Sequence, residues 1–407
     1  MPHETDVHDY ERSEKMEPII YMDHAATTCT HPEVFRAMQP YFHDRYGNPS
    51  GIYKIARENR EAIQTSRKII ADTLHTKPEC IYFTAGGSES DNWALKETAR
   101  AYAKKGRHII TTKIEHHGIL HTAEYLERCG FEVTYLDVDE QGLVNPLTLM
   151  RAIRENTILI SVMFANNEIG TIEPIAEIGR IAHRHNILFH TDAVQAYGQL
   201  PINVDAMHID LLSASGHKLN GPKGIGFLYI RDGLLLDSFI HGGAQENGRR
   251  AGTENVPGII GLGKAAQIAQ RQMQEKIKKE SRLRDYMIRR LLSEIPYTRL
   301  NGHRIKRLPN NINVSFQFVD SEAVLVMLDS LGICASGGSA CNASSKKASH
   351  VLTAIGLPES LARGSIRLTL GSENTKEEAD YVIACLKDIV EGLRENSPQY
   401  EDYMRRS

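Results

Sequence analysis

Lys218 closes the run Ser213-Ala214-Ser215-Gly216-His217-Lys218, directly after an apolar β-type stretch. Upstream, His190-Thr191-Asp192-Ala193-Val194-Gln195 ends another apolar stretch with an acid and an amide. Earlier still, Phe83-Thr84-Ala85-Gly86-Gly87-Ser88-Glu89-Ser90 sends a strand into a glycine turn that opens a helix. There, unpaired backbone N–H groups and the helix dipole face an anion, and Ser88 can add a hydroxyl. The turn has neither the Gly-Lys-Ser/Thr ending of a Walker loop nor the spacing of a dinucleotide loop. Each piece has an ordinary alternative: a solvated lysine, a helix cap, a plain strand–helix turn. Together they supply a lysine for a Schiff base, an acid for a pyridinium nitrogen, and hydroxyl and imidazole groups near a phosphate. That is the set of groups a pyridoxal-phosphate (PLP) site needs.

Groups so far apart in sequence need a scaffold that gathers them. From about residue 80 to 230, short β-rich runs alternate with helical stretches. Strands are expected at Ile81–Thr84, His108–Thr111, Glu132–Leu136, Thr157–Val162, Ile187–Thr191 and Asp210–Ser213, with helices such as Glu89–Lys104 and Glu173–His185 between them. This alternation predicts an α/β fold with a mainly parallel sheet. Ligands in such sheets bind beyond the carboxyl ends of the strands, where the unusual residues cluster. A long charged amphipathic stretch, Val256–Glu294, leads out of this unit. Beyond it, strands at Asn311–Phe318 and Ile366–Leu370 and helices at Ser321–Leu331 and Lys376–Arg394 predict a smaller α+β domain. Between them, Ala335 to Ser345 is so rich in Gly and Ser that its composition predicts a mobile loop, and it carries Cys341.

Length and composition agree with two domains. The 407 residues are too many for one small core, and 41% hydrophobic with 24% charged residues suits a globular protein. A net charge of -3 gives no electrostatic reason to expect nucleic acid or an acidic membrane as partner. No apolar run approaches the roughly 20 residues that span a bilayer. Residues 1–18 are polar and acidic and are expected to be a disordered leader rather than a targeting signal. Residues 33–265 are expected to form the large PLP-binding domain, and 19–32 with 266–407 the small domain that carries the cysteine loop. The six cysteines form no C-x-x-C pair, so reduced thiols in a cytoplasmic protein are expected and no metal site is. Cys334 continues the apolar run Leu331-Gly332-Ile333 and is expected to be buried and inert.

The chain resembles the class V aminotransferase family of fold-type I PLP enzymes, and within it the NifS/IscS-like cysteine desulfurases. The resemblance runs from about Ile20 to Tyr400. It rests on Tyr21-Met22-Asp23-His24-Ala25-Ala26-Thr27-Thr28, on Glu89-Ser90-Asp91-Asn92 after the glycine turn, and on Ile114-Glu115-His116. It continues through Asn166-Asn167-Glu168-Ile169-Gly170, the Asp192 and Lys218 runs, Gly252-Thr253-Glu254-Asn255, Ser339-Ala340-Cys341 and Ser365-Ile366-Arg367.

The resemblance implies that Lys218 holds PLP covalently, that Asp192 pairs with the pyridinium nitrogen and that Gln195 bonds the phenolic oxygen. It implies that His116 stacks on the ring and assists proton transfer. Gly87, Ser88, Ser215 and His217 would bind the phosphate, joined by Thr253 from a second subunit in a homodimer. Asn167, which also adjoins the cofactor, and Arg367 would hold the substrate carboxylate, and Cys341 would take sulfur from L-cysteine as a persulfide, leaving alanine. The sulfur would pass to an acceptor protein of iron–sulfur cluster assembly or of a thiolation pathway. Relatives often carry threonine at the place of Ser88, and Asn342 and Lys346-Lys347 also depart from the pattern after the cysteine. A selenocysteine lyase would use nearly the same residues, and another class V aminotransferase-type enzyme would lack the need for Cys341.

Overall fold

The computed structural model describes residues 19–337 and 348–406; the 1–18 leader and Cys341 lie outside the described residues. In chain order the strands are β1 (Ile20–Tyr21), β2 (Ile81–Thr84), β3 (His108–Thr112), β4 (Glu132–Leu136), β5 (Thr157–Ser161), β6 (Leu188–Asp192), β7 (Leu211–Ser215) and β8 (Gly226–Ile230). They continue with β9 (Thr298–Leu300), β10 (Asn311–Phe316), β11 (Ile333–Cys334), β12 (Ser336–Gly337) and β13 (Ser365–Thr369). The fold is α/β, built on a seven-stranded sheet in the order β2-β8-β7-β6-β5-β3-β4.

Every pairing from β7 to β4 is parallel, whereas β8 runs antiparallel to both of its neighbours, β2 and β7. The runs β3, β5, β6 and β7 are buried along their whole length, as strands covered by helices on both faces must be. Because β2 and β7 flank an antiparallel β8, they point the same way. The carboxyl ends of β2, β3, β5, β6 and β7 therefore share one edge, and the strand order reverses there between β3 and β5. A crevice at such a reversal is where an α/β sheet binds its ligand.

The expected strands and helices are present with small shifts of boundary. The first pocket helix begins at Gly87 rather than Glu89, and β10 ends at Phe316, before the left-handed Phe318. Strand β8 was not anticipated, although Gly226-Phe227-Leu228-Tyr229-Ile230 is a buried apolar run bounded by glycines. Helix Val256–Glu294 has the expected bounds. It lies so close to helix Lys54–Leu74 that a Cβ on Gly263 would come 2.6 Å from Ser66 Cβ, so only glycine fits that crossing.

A four-stranded sheet, β12-β13-β10-β9, and helix Lys376–Glu395 enclose a separate apolar core around Val314, Phe316, Ile366, Leu368 and Leu386. Strand β1 pairs in parallel with β11 of this unit, and Asp23 bridges to Thr369. The next residues, Ala25 to Thr28, then cross to the edge of the large sheet. A smaller apolar cluster, including Ile114, Met163, Ile169, Val351 and Leu352, packs helix His350–Ala354 against that edge.

The glycine turn after β2 is held from behind by a buried ion pair. Arg67 donates two bonds of 2.8 and 2.7 Å to the Glu246 carboxylate, whose Oε2 also accepts Phe83 N–H at 2.8 Å. Glu246 adopts φ 46° and ψ 46° to make these contacts. Glu246→Ala leaves a buried guanidinium without its counter-ion and a strand N–H unpaired. It should destabilise the fold by about 3–5 kcal/mol in urea unfolding, and an unchanged midpoint would show that the pair does not anchor β2.

Candidate active site

A cavity of about 400 Å³ opens at the shared carboxyl edge. From the expected set, Gly87, Ser88, His116, Asn167, Asp192, Gln195, Ser215, His217, Lys218 and Arg367 all line it. Thr253 does not; it is exposed on the loop before helix Val256–Glu294.

Strand β7 runs into a single helical turn, Gly216–Lys218, which aims the lysine across the cavity floor. Lys218 Nζ donates to the carbonyl oxygens of Ala25 and, at 2.8 Å, of Ala26. Gln195 Nε2 also reaches Ala25 O, at 3.0 Å. His217 turns the other way and shares a 3.1 Å bond between Nδ1 and Thr27 Oγ1, while its carbonyl accepts Thr28 Oγ1–H at 2.8 Å. Burial, with Lys218 and Lys223 nearby, pushes His217 down to about 4, so it stands as a neutral imidazole.

Asp192 ends β6 and caps the following turn, its Oδ1 accepting Val194 N–H at 2.9 Å. Burial raises its pKa, against the pull of His116 and Lys218, so a cationic partner is what would keep it ionised. His116 is the N-cap of helix His117–Arg128 and accepts Gly118 N–H on Nδ1 at 3.0 Å. With Nδ1 taken as acceptor, the neutral ring carries its proton on Nε2.

Arg367, on β13, is 1% exposed. One terminal nitrogen donates to Asp23 Oδ1 at 2.8 Å and the other to Asn167 O at 3.2 Å, while the buried Nε has no hydrogen-bond partner. Arg367 lines the cavity, and a planar guanidinium with N–H groups beyond those two bonds is equipped to take a carboxylate.

Several acids around the cavity were missed by the sequence reading. Glu168 lines it beside Arg367 and accepts Ser349 Oγ–H; burial lifts its pKa to about 7. Asp91, from the first pocket helix, is wholly buried with Oδ1 unpartnered, and burial holds it well above the usual carboxylate range. Glu115 accepts Thr112 Oγ1–H at 2.7 Å and Met163 N–H at 3.0 Å on Oε1, leaving Oε2 unpartnered, and burial lifts it to about 8. The motifs Glu115-His116 and Asn167-Glu168 were legible, but the burial that raises the pKa of their acids was not. His117 and His350 also line the cavity, with ring centroids 4.8 Å apart. Cys334 differs from expectation: it is partly exposed, because successive side chains of a strand face opposite sides and on β11 it is Ile333 that enters the core.

These residues fit PLP. The 16-residue helix Gly87–Tyr102 points its N-terminus into the cavity, and a Cβ on Gly87 would meet Val194 Cγ2 at 2.5 Å, so the turn must stay bare. The hydroxyls of Ser88 and Ser215 and the imidazole of His217 border that end, which suits a phosphate. Buried Asp192 and half-buried Lys218 line the same cavity, the acid and the amine that a pyridinium nitrogen and an aldehyde carbon would take.

The profile of the family Aminotransferase class-V matches residues 20–382. The protein named cysteine desulfurase IscS of Methanosarcina thermophila is 55% identical over 379 residues, covering 93% of this chain and 94% of its own. Its namesake in Clostridium botulinum strain Hall is 53% identical over 388 residues, 95% of this chain and 98% of its own. Among solved structures, a NifS-like protein superposes with a TM-score of 0.86 at 37% identity, covering 92% of this chain and 99% of that one. SspA in complex with cysteine gives 0.75 at 42% identity, covering 86% and 98%.

The buried acids make a pH-dependent prediction. Between pH about 5 and 8 the folded chain keeps a proton on Glu115 that the unfolded chain has released, so stability is highest below this window and falls as pH rises through it. The slope is at most about 1.4 kcal/mol per pH unit for one group. Glu115→Gln cannot ionise, so from pH 5 to 8 it should lose less stability in urea titrations than the native protein. Equal losses in both would refute the assignment.

Proposed function

The chain belongs to the class V aminotransferase family and is a PLP-dependent cysteine desulfurase, and from the cavity's geometry we infer that Lys218 and Cys341 divide its chemistry between them. One observation supports this most: Asp192 of β6, Arg367 of β13 and Lys218 of the turn after β7 face a single cavity. When bound, PLP supplies an electron-withdrawing ring that takes up the charge released at the substrate α-carbon.

The protein's residues do the rest. Arg367 and Asn167 fix the α-carboxylate of L-cysteine, which orients the α-proton toward Lys218 Nζ. Lys218 holds the cofactor and then moves that proton, while Asp192 keeps the ring nitrogen protonated. His116, its Nδ1 held by Gly118 N–H, presents Nε2 to the reacting region and assists proton transfer there. Gln195 and the Ala25 and Ala26 carbonyls hold Lys218's surroundings in place. The Cys341 thiolate then attacks the substrate sulfur. A sulfur–sulfur bond forms, the carbon–sulfur bond breaks with its electron pair going to carbon, and a proton added there completes alanine. The balance is one cysteine and one thiol in, one alanine and one persulfide out. The attacking form is the thiolate because the neutral thiol is a poor nucleophile.

Residues 33–265 serve as the PLP-binding unit, and 19–32 with 266–407 as the small unit that carries Cys341. The persulfide passes to an acceptor protein, an iron–sulfur scaffold or a thiolation enzyme, in the cytoplasm. No helix among the described residues is long and apolar enough to cross a membrane. Exposed Thr253 and the exposed apolar side chains Phe42, Tyr46, Ile52 and Tyr53 support a homodimer in which Thr253 reaches the phosphate of the second site.

Lys218→Ala should lose both the visible absorbance of lysine-bound cofactor and all turnover. Cys341→Ala should still bind PLP and cysteine but release almost no alanine, whereas Cys334→Ala should turn over nearly normally. Mass spectrometry after brief exposure to cysteine should find one extra sulfur on the Cys341 peptide. Extra sulfur on Cys334 instead, or native alanine output from Cys341→Ala, would identify the wrong nucleophile. Sedimentation should show a dimer at working concentration, and an active monomer would defeat the shared-site arrangement.

A further inference from the structure

Asp91 is a buried acid with no part in the chemistry described so far, and it stands beside Asp192. It lies one turn into helix Gly87–Tyr102, is 1% exposed and lines the cavity. Asp91, His116 and Asp192 each bring one oxygen or nitrogen within 4.8 Å of the other two. Two carboxyls that close in a buried site cannot both stay ionised, so one of them keeps a proton.

The surroundings decide which one. Asp192 Oδ1 accepts Val194 N–H at 2.9 Å, and His116 and Lys218 draw its pKa down against burial. Asp91 has only the Ser213 hydroxyl to favour its charged form, and its Oδ1 has no hydrogen-bond partner among the described residues. His190 offers it no counter-charge, although His190 Nε2 stands 3.7 Å from Asp91 Oδ1. That ring is held between two hydroxyls, Ser161 Oγ at 2.9 Å from Nδ1 and Ser213 Oγ at 3.0 Å from Nε2, and burial pushes it down to about 3. Any charge on Glu115 would oppose ionisation of Asp91 further. The proton therefore belongs on Asp91. A protonated carboxyl is a donor, and a buried donor left unmet is costly; the Asp192 carboxylate is an acceptor suited to it.

We propose that Asp91 is a positioning residue for the cofactor's ring nitrogen: as a neutral acid it donates its O–H to Asp192, and that bond keeps Asp192 the charged member of the pair. The two carboxyls then present a single negative charge to the pyridinium nitrogen. Asp91 acts through Asp192, and the proposal rests on the reading of Asp192 as that nitrogen's partner.

The test reads cofactor affinity rather than turnover, by titrating the full chain with PLP and with an analogue that has carbon in place of the ring nitrogen. Asp91→Leu removes the donor and should weaken PLP binding at least about tenfold, as loss of a hydrogen bond to a charged group implies. The carbon analogue has no nitrogen for Asp192 to meet, so the same variant should change its affinity by no more than about twofold. Asp91→Asn keeps a donor that cannot ionise and should hold PLP within about twofold of native. Infrared difference spectra of the PLP-loaded protein, native minus Asp91→Asn, should contain the carbonyl stretch of a protonated carboxylic acid. That band is read on the milder variant, so it decides the matter even if Asp91→Leu does not fold. Its absence means an ionised Asp91 and overturns the proposal. So does unchanged PLP affinity in Asp91→Leu, or an equal loss for PLP and analogue, which would leave Asp91 a structural partner of Ser213. A different failure is an Asp192→Asn variant that loses no more affinity for PLP than for the analogue: it removes the reading of Asp192 first, and the proposal with it.

Discussion

A guanidinium removed from water must find a counter-charge, and burying Arg367 commits much of this molecule. A lone cation at 1% exposure would carry a desolvation cost of several kcal/mol, so Asp23 has to be at its side. Asp23 can be there only because β1 pairs with β11 and because Asp23 itself bridges to Thr369. Once residues 20–23 are fixed on the small sheet, the chain has nowhere to continue but across the mouth of the large one. That crossing delivers the Ala25 and Ala26 carbonyls to Lys218 and the Thr27 and Thr28 hydroxyls to His217. One short segment thus holds both Arg367, the proposed substrate clamp, and Lys218, the proposed cofactor lysine.

The second recurring theme is neutralised acid. Asp91, Glu115 and Glu168 surround a site that must accept an anionic phosphate and an anionic carboxylate. Were all three ionised, their field would oppose both ligands. Burial raises each pKa, so the carboxyls serve largely as hydrogen-bonding groups rather than as charges. Asp192 is the exception that the proposed chemistry needs ionised, and there His116 and Lys218 pull its pKa down against burial. The histidines follow the same rule in reverse: burial lowers His117, His217 and His350, which keeps excess positive charge from accumulating beside the lysine.

Much of this was legible in the chain. Strands β3, β5, β6 and β7 show as apolar runs followed by polar residues, because a doubly covered strand has no solvent face to mark and its function begins where it ends. Helix Val256–Glu294 was readable to its termini, with Asn255 as a cap and Pro257 in the first turn. The roles of Lys218, Asp192 and Arg367 came through the family resemblance, and the cavity brings those residues together. What could not be read were contacts made at long range by ordinary residues. Nothing local marks Asp23 as the partner of Arg367, 344 positions away, or Ser349 as the partner of Glu168. Cys334 was misjudged for a related reason: an apolar neighbourhood in sequence does not say which face of a two-residue strand meets the core.

Strand β8 has a consequence for how the chain is made. Among the described residues β2 pairs with β8 alone, and β8 lies nearly 150 residues downstream of it. As the polypeptide leaves the ribosome, β3 through β7 can assemble in order, each against a strand already present. β2 and the glycine turn that follows it must wait until residue 230 has emerged. The crossing segment waits longer, since Ile20 needs Ile333 and Asp23 needs Thr369. Closure of such distant pairs comes late, because each costs more chain entropy than a local one. The nascent protein therefore completes its large sheet well before the cavity beside it, which must wait until Thr369 has emerged.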